Sequence, residues 1–144
     1  MGTDAVPALS KSEKIRMYGE VFTPLNIVRE MCDSLELESP GAFEPGTTYL
    51  EPCCGDGAFV LEILRRKFAR CKRRSDYTTA LRSVYAMEIQ ADNVDACIAN
   101  VNAMVREYIT PTKAEFEIIR DHIIQADSLK VMRMINEMNE RMTE

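Results

Sequence analysis

One stretch, from Thr47 to Leu64, limits what this chain can become. It opens as a short apolar, β-prone run, passes through Glu51-Pro52-Cys53-Cys54-Gly55-Asp56-Gly57, and continues with apolar residues at Phe59, Leu61, Ile63 and Leu64. This pattern predicts a strand, a tight turn and a helix. Gly55 and Gly57 carry no Cβ and reach positive φ without strain, so the backbone can fold sharply and a ligand can lie against it. The N–H groups that open the following helix have no intrahelical partners, which suits them to polar or anionic ligand groups.

The rest of the chain alternates in the same way. Gly19 to Pro24 reads as extended, because Pro24 disfavours helical geometry at Thr23. Thr23 suits an N-cap and Pro24 the first helical position, and Ile27, Val28, Met31, Cys32 and Leu35 follow at helical spacing. A first helix is therefore predicted from about Pro24 to Leu35. The helix after Gly57 is predicted to end at Arg73-Arg74-Ser75-Asp76, and Ser83 to Ile89 forms the second strand. Ala91 to Tyr108 reads as a helix with Val94, Cys97, Ile98, Val101, Met104 and Val105 as its buried stripe. A short helix is predicted from Pro111 to Ile119, a third strand from His122 to Ala126, and a last helix capped by Asp127 or Ser128. A helix followed by three strand and helix units implies an α/β domain, with a parallel sheet of about three strands and right-handed crossovers. Residues 1–17 read as a tail, in which Lys11 to Tyr18 can form a short polar helix, and residues 18–144 as one domain.

Composition narrows the function classes. A chain of 144 residues with 46% hydrophobic content can bury a real core. The net charge of -5 shows no general excess of cations to advertise nucleic acid. The charge is uneven, since Arg65, Arg66, Lys67, Arg70, Lys72, Arg73 and Arg74 fall in one run without an acid. Such a run can touch phosphate, or it can lie solvated at a helix end and complement the negative dipole, which is the plainer reading. The Met-rich end, with Met132, Met134, Met138 and Met142, reads as packing surface. Five cysteines without a C-x-x-C pair and a single histidine, His122, argue against a metal site and for a reducing, cytoplasmic setting. No apolar run approaches the roughly 20 residues that span a bilayer. Met1-Gly2 opens like a myristoylation signal, but Val6 stands where Ser or Thr is needed.

Loops like the one at Gly55 hold either a dinucleotide or S-adenosyl-L-methionine, or no ligand at all. The dinucleotide fingerprint wants a third glycine where this chain has Val60. In an open α/β sheet, ligands bind beyond the carboxyl ends of the strands, and here all three strands finish in an acid or soon reach one: Glu51, Glu88 and Asp127. At the end of the second strand, Glu88 can accept both hydroxyls of a ribose. Asp127 can accept from an exocyclic adenine amine, and Glu51 can meet a cationic amino group or orient the loop. Each acid taken alone can equally be a helix cap or a solvated strand end.

The segments Val21-Phe22-Thr23-Pro24, Leu50 to Phe59, Ala86-Met87-Glu88-Ile89 and Gln125-Ala126-Asp127-Ser128-Leu129 resemble, in order, the cofactor motifs of N6-adenine DNA methyltransferases of restriction-modification systems. The resemblance runs from Tyr18 to Leu129 and implies a truncated Rossmann-like methyltransferase fold. It implies that Thr23 and Pro24, with Glu51, Pro52, Cys53, Gly55, Gly57 and Phe59, hold the methionine part of S-adenosyl-L-methionine. Glu88 and Ile89 then take the ribose side, and Asp127 and Ser128 the adenine. The family continues into a fourth strand and an Asn-Pro-Pro-Tyr type motif that receives the target adenine, and no Asn-Pro pair exists here. The expectation is a cofactor-binding part without catalytic residues, inactive alone, that meets DNA only within a complete enzyme. The rival expectation is a relic fold that has lost the cofactor and serves as an interaction or nucleic-acid adaptor module. By the same resemblance the first strand lies at a sheet edge where a fourth should pair. The chain should then self-associate, or bind a complementary methyltransferase chain, through that edge and the Met-rich helix, unless the segment before Gly19 folds across it.

Overall fold

The computed structural model describes residues 9–13 and 22–143. Residues 11–13 are helical, and the remainder of the helix expected up to Tyr18 lies outside the described residues, as do Val21 and most of the segment before Gly19. Helix α1 (Leu25–Glu38) starts one position later than expected. Pro24 is its N-cap and no side-chain hydrogen bond closes its start, so Thr23 stands outside the helix. Only Val28 and Cys32 of its apolar stripe are buried, while Ile27, Met31 and Leu35 remain exposed.

Strand β1 (Tyr49–Glu51) leads through the glycine loop into α2 (Ala58–Ala69). The chain does not then pass straight into the second strand. A further helix, α3 (Arg74–Ser83), intervenes where the sequence suggested none. The carboxylate of Asp76 accepts from the N–H groups of Lys72 (2.8 Å) and Arg73 (3.0 Å) and so closes its start. Tyr77 packs edge-on against Phe68, and Ala80 and Leu81 are buried. Packing thus carries Thr78 and Thr79 into a helix despite their preference for strands.

Strand β2 (Val84–Glu88), α4 (Ala91–Arg106), α5 (Lys113–His122), β3 (Ile123–Gln125) and α6 (Ser128–Met142) complete the order. The start of α5 is closed reciprocally: Thr112 Oγ1 accepts from Glu115 N and Glu115 Oε1 from Thr112 N. The strands are parallel in the order β1-β2-β3, so β1 is an edge of this sheet. The protein is therefore α/β with a small three-stranded parallel sheet, an arrangement compatible with a Rossmann-like fold.

Alternation along the strands separates two unlike faces. Val84, Ala86 and Ile123 point into the core beside Leu64, Phe68 and Val101. Leu50, Tyr85, Met87 and Ile124 line the other face, paired in register as Leu50 with Tyr85 and Met87 with Ile124. Helix α6 packs to no more than a marginal extent against any other helix or strand among the described residues.

The basic run is structural at four of its seven positions, which corrects both sequence readings there. Arg66 binds Asp33 (2.7 Å), Glu36 and Glu62 and lies over the Phe43 ring, clamping α1 to α2. Lys67 is fully buried and donates to the carbonyls of Glu44, Pro45 and Thr47. Arg70 holds Glu36 and Glu44, each at 2.7 Å. Arg74 grips both oxygens of Glu115. No described helix is long and apolar enough to cross a membrane.

Candidate functional site

The loop between β1 and α2 is tied down at each step. Glu51 Oε1 accepts from Cys53 N (3.1 Å), which turns the chain out of the strand. Cys54 N donates to Met87 O (3.0 Å), fastening the loop to the end of β2, and Gly57 N donates to Cys54 O (2.9 Å). Asn100 Nδ2, on α4, donates to Asp56 O at 2.9 Å. Gly55 and Gly57 both have positive φ, 55° and 107°. A Cβ on Gly55 would stand 2.9 Å from the Phe22 ring, and one on Gly57 would stand 2.9 Å from Cys97 Sγ. The glycines are therefore required twice, by backbone conformation and by close packing.

The other strand ends converge on the same loop. Glu88 is buried, and its Oε2 accepts from Gln90 N at 2.7 Å. Ala126 N donates to Glu88 O and Gln125 Nε2 to Ile89 O, which joins the end of β3 to the end of β2. Ser128 Oγ lies 3.8 Å from Cys53 Sγ. The Asp127 carboxylate accepts from Leu129 N (3.1 Å) and Lys130 N (3.3 Å) and is the N-cap of α6.

Of the residues expected to form a site, the fold thus gathers Glu51, Cys53, Gly55, Gly57, Glu88 and Ser128 at the carboxyl end of the sheet. Pro52 is half-buried in the turn and Ile89 is exposed beside Glu88. Phe22 against Gly55 brings the start of the Phe22-Thr23-Pro24 segment to the loop, while the Pro24 carbonyl accepts from Ile27 N and Val28 N and begins α1. Phe59 packs on the core instead. Sequence reasoning missed Cys97 and Asn100. The only available signal was their spacing on one flank of α4, which says nothing of which loop that flank meets.

Electrostatics marks two groups. Burial pushes the Glu51 carboxyl up, against the opposing hydrogen bond from Cys53 N. A half-buried carboxyl with one oxygen on the backbone can accept a cationic or hydroxyl donor on the other. The Cys54 thiol is raised well above the usual range by its hydrogen bond to the Cys97 thiol and by burial, so it stays protonated beneath the loop. Among the described residues no cluster of three or more histidine, cysteine or acidic side chains is arranged to hold a metal ion.

A cleft of about 320 Å³ opens at the start of α2, lined by Leu25, Arg29, Asp56, Ala58, Arg65 and Asn100 among others. A groove of about 420 Å³ runs over the open sheet face, lined by Leu50, Tyr85, Met87, Ile124 and Val131 among others. Comparisons with protein-family models, with curated proteins and with solved structures find no match for this chain.

Proposed function

We propose that this chain is the S-adenosyl-L-methionine-binding part of an N6-adenine DNA methyltransferase. The observation that carries this reading is the convergence on one glycine loop of two strand-end acids, Glu51 and Glu88, with Phe22 of the Thr-Pro segment laid over Gly55. The residues fit the group: Glu51 offers a carboxyl oxygen to an ammonium, and Glu88, with the exposed Ile89 beside it, an acceptor to ribose hydroxyls. When bound, such a cofactor supplies a methyl group for direct transfer to an amine. The chain's own contribution is to hold and orient it. With no Asn-Pro pair to receive the target base, these 144 residues are expected to methylate no DNA alone.

One observation favours the rival reading, a relic fold acting as an interaction module. Phe59, expected to hold the cofactor, packs against the core instead, while Asp127 caps α6 through Oδ1. Titration calorimetry with S-adenosyl-L-methionine separates the readings. Saturable heat that Glu88→Ala abolishes supports the cofactor domain; no heat from the parent chain supports the relic. Transfer of labelled methyl to adenine-rich DNA by the purified chain would overturn the assignment of no catalytic residues.

A further inference from the structure

Among the described residues, the open face of the sheet leaves large apolar side chains exposed. Parallel sheets are almost always covered on both sides, yet here Leu50, Tyr85 and Ile124 are 53%, 44% and 45% exposed. Helix α6 starts at that face, with Val131 lining the groove, and carries an apolar stripe away from it. Val131, Ile135, Met138 and Met142 follow at steps of four, three and four residues, the spacing of a helix that pairs with another helix. Ile135, Met138 and Met142 are 49%, 58% and 82% exposed, increasingly so away from the groove. The charged residues Arg133, Glu137 and Glu140 lie on the far side of the helix, with Lys130 and Arg141 on one flank. They are nearly balanced in sign and lack the cationic excess that would suit the stripe to a membrane surface.

We infer that the occupant of this face is a second copy of the same chain, docked by a two-fold axis with the two α6 helices antiparallel. A parallel pairing would stack the stripe on itself position by position, but only the antiparallel sense brings its far end back to the groove beside Val131. Setting Ile135 against the partner copy's Met138 sets Val131 against its Met142, and the two-fold repeats both layers. Because Val131 lines the groove, the same register delivers the other copy's Met142 to Leu50, Tyr85 and Ile124. An unbranched methionine suits an irregular apolar groove. The exposed side chains of the stripe and the open face form one extended apolar surface, of the kind a standard stable interface of roughly 800 Å² per partner requires. The contact is isologous and closes on itself, so it yields a dimer and not a filament. It leaves the glycine loop free and does not depend on the cofactor reading.

Sedimentation of the full chain and two single variants tests this. The parent chain is expected to sediment as a dimer of the 16.4 kDa protomer at micromolar concentration. Ile135→Glu and Met138→Lys each place a charge in two symmetry-related layers and should each weaken the dimer by at least about a hundredfold. Both sites are exposed within one chain, so circular dichroism should be unchanged. Mixed in equal amounts, the two variants should dimerise again. In the antiparallel register the carboxylate introduced at position 135 of one copy faces the ammonium introduced at position 138 of the other, while the reciprocal layer stays apolar. In a parallel pairing position 135 faces 135 and position 138 faces 138, so the two introduced charges would share no layer and the mixture should recover less than the parent dimer. A monomeric parent chain, variants that still associate, or a mixture that stays monomeric would each overturn the inference. Variants that still associate would shift the contact to the β1 edge, and a monomeric parent that captures a complementary methyltransferase chain would assign the face to that partner.

Discussion

Gly57 shows how much one absent methyl group decides. Its φ of 107° is hard for any side chain to adopt, and the missing Cβ would press on Cys97 Sγ. Gly57→Ala is expected to destabilise the fold by about 2–4 kcal/mol, measured by urea unfolding. Adding Cys97→Ala should recover the steric part and leave the backbone part, so the double variant should fall between. Glu115 is the second residue of this kind. It is almost wholly buried, and the hydrogen bonds from Arg74 above all, with those from Thr112 and Thr78, lower its carboxyl to about 2 from an ordinary 4.5. A carboxyl lowered on folding binds fewer protons in the native than in the unfolded chain. Its stabilisation is therefore complete above pH 4.5 and is lost as pH falls through about 2. Glu115→Gln should cost about 2–3 kcal/mol at pH 7 and flatten the acid limb of the stability curve, read by thermal melts between those limits.

At the scale of elements, the informative case is α6, because Asp127 serves its start whether or not it serves a ligand. Asp127→Ala should lower stability by about 1 kcal/mol through loss of the cap, whereas Asp127→Ser should stay within roughly 0.5 kcal/mol. If Asp127→Ser also leaves S-adenosyl-L-methionine affinity unchanged in calorimetry, the carboxylate is a cap alone and the adenine contact must be sought elsewhere. Helix α2 illustrates why a charge run is a poor guide to partners. Its cations, with Arg70 at its C-cap, meet three fates: Arg66 and Arg70 face the acids of α1 and its following loop, Lys67 faces the loop carbonyls, and Arg65 is exposed. Periodicity places these residues on different arcs, but the identity of the facing acids comes from a segment some thirty positions earlier in the chain.

At the scale of the whole molecule, one sheet has a core face and an open face, and substitutions should report the difference. Val84→Ala, on the buried side, is expected to cost about 1–2.5 kcal/mol. Leu50→Ser, on the open side, should cost less than roughly 0.5 kcal/mol when the chain is diluted below its association range. Equal costs on both faces in dilute solution would show that the open face is covered within a single chain.

The order of strands and helices, the sharp turn at Gly55 and Gly57, the placing of Glu51 and Glu88 at strand ends and the cap at Asp127 could all be read from local pattern. Each depends on spacing, on conformational freedom or on hydrogen bonds within a few residues. Helix α3 could not, because Tyr77, Thr78 and Thr79 favour a strand locally and become helical as Tyr77 packs on Phe68 and Ala80 and Leu81 enter the core. The fate of Arg66, Lys67, Arg70 and Arg74, the packing of Phe59 against the core, and the closure of the loop by Cys97 and Asn100 likewise depended on which distant surfaces met. The sequence by itself determined an α/β chain with acids gathered at a glycine turn. The tertiary structure alone decided how those acids are gathered at one loop, and which apolar faces of sheet and helix stay exposed among the described residues, since both depend on contacts between residues far apart in the chain.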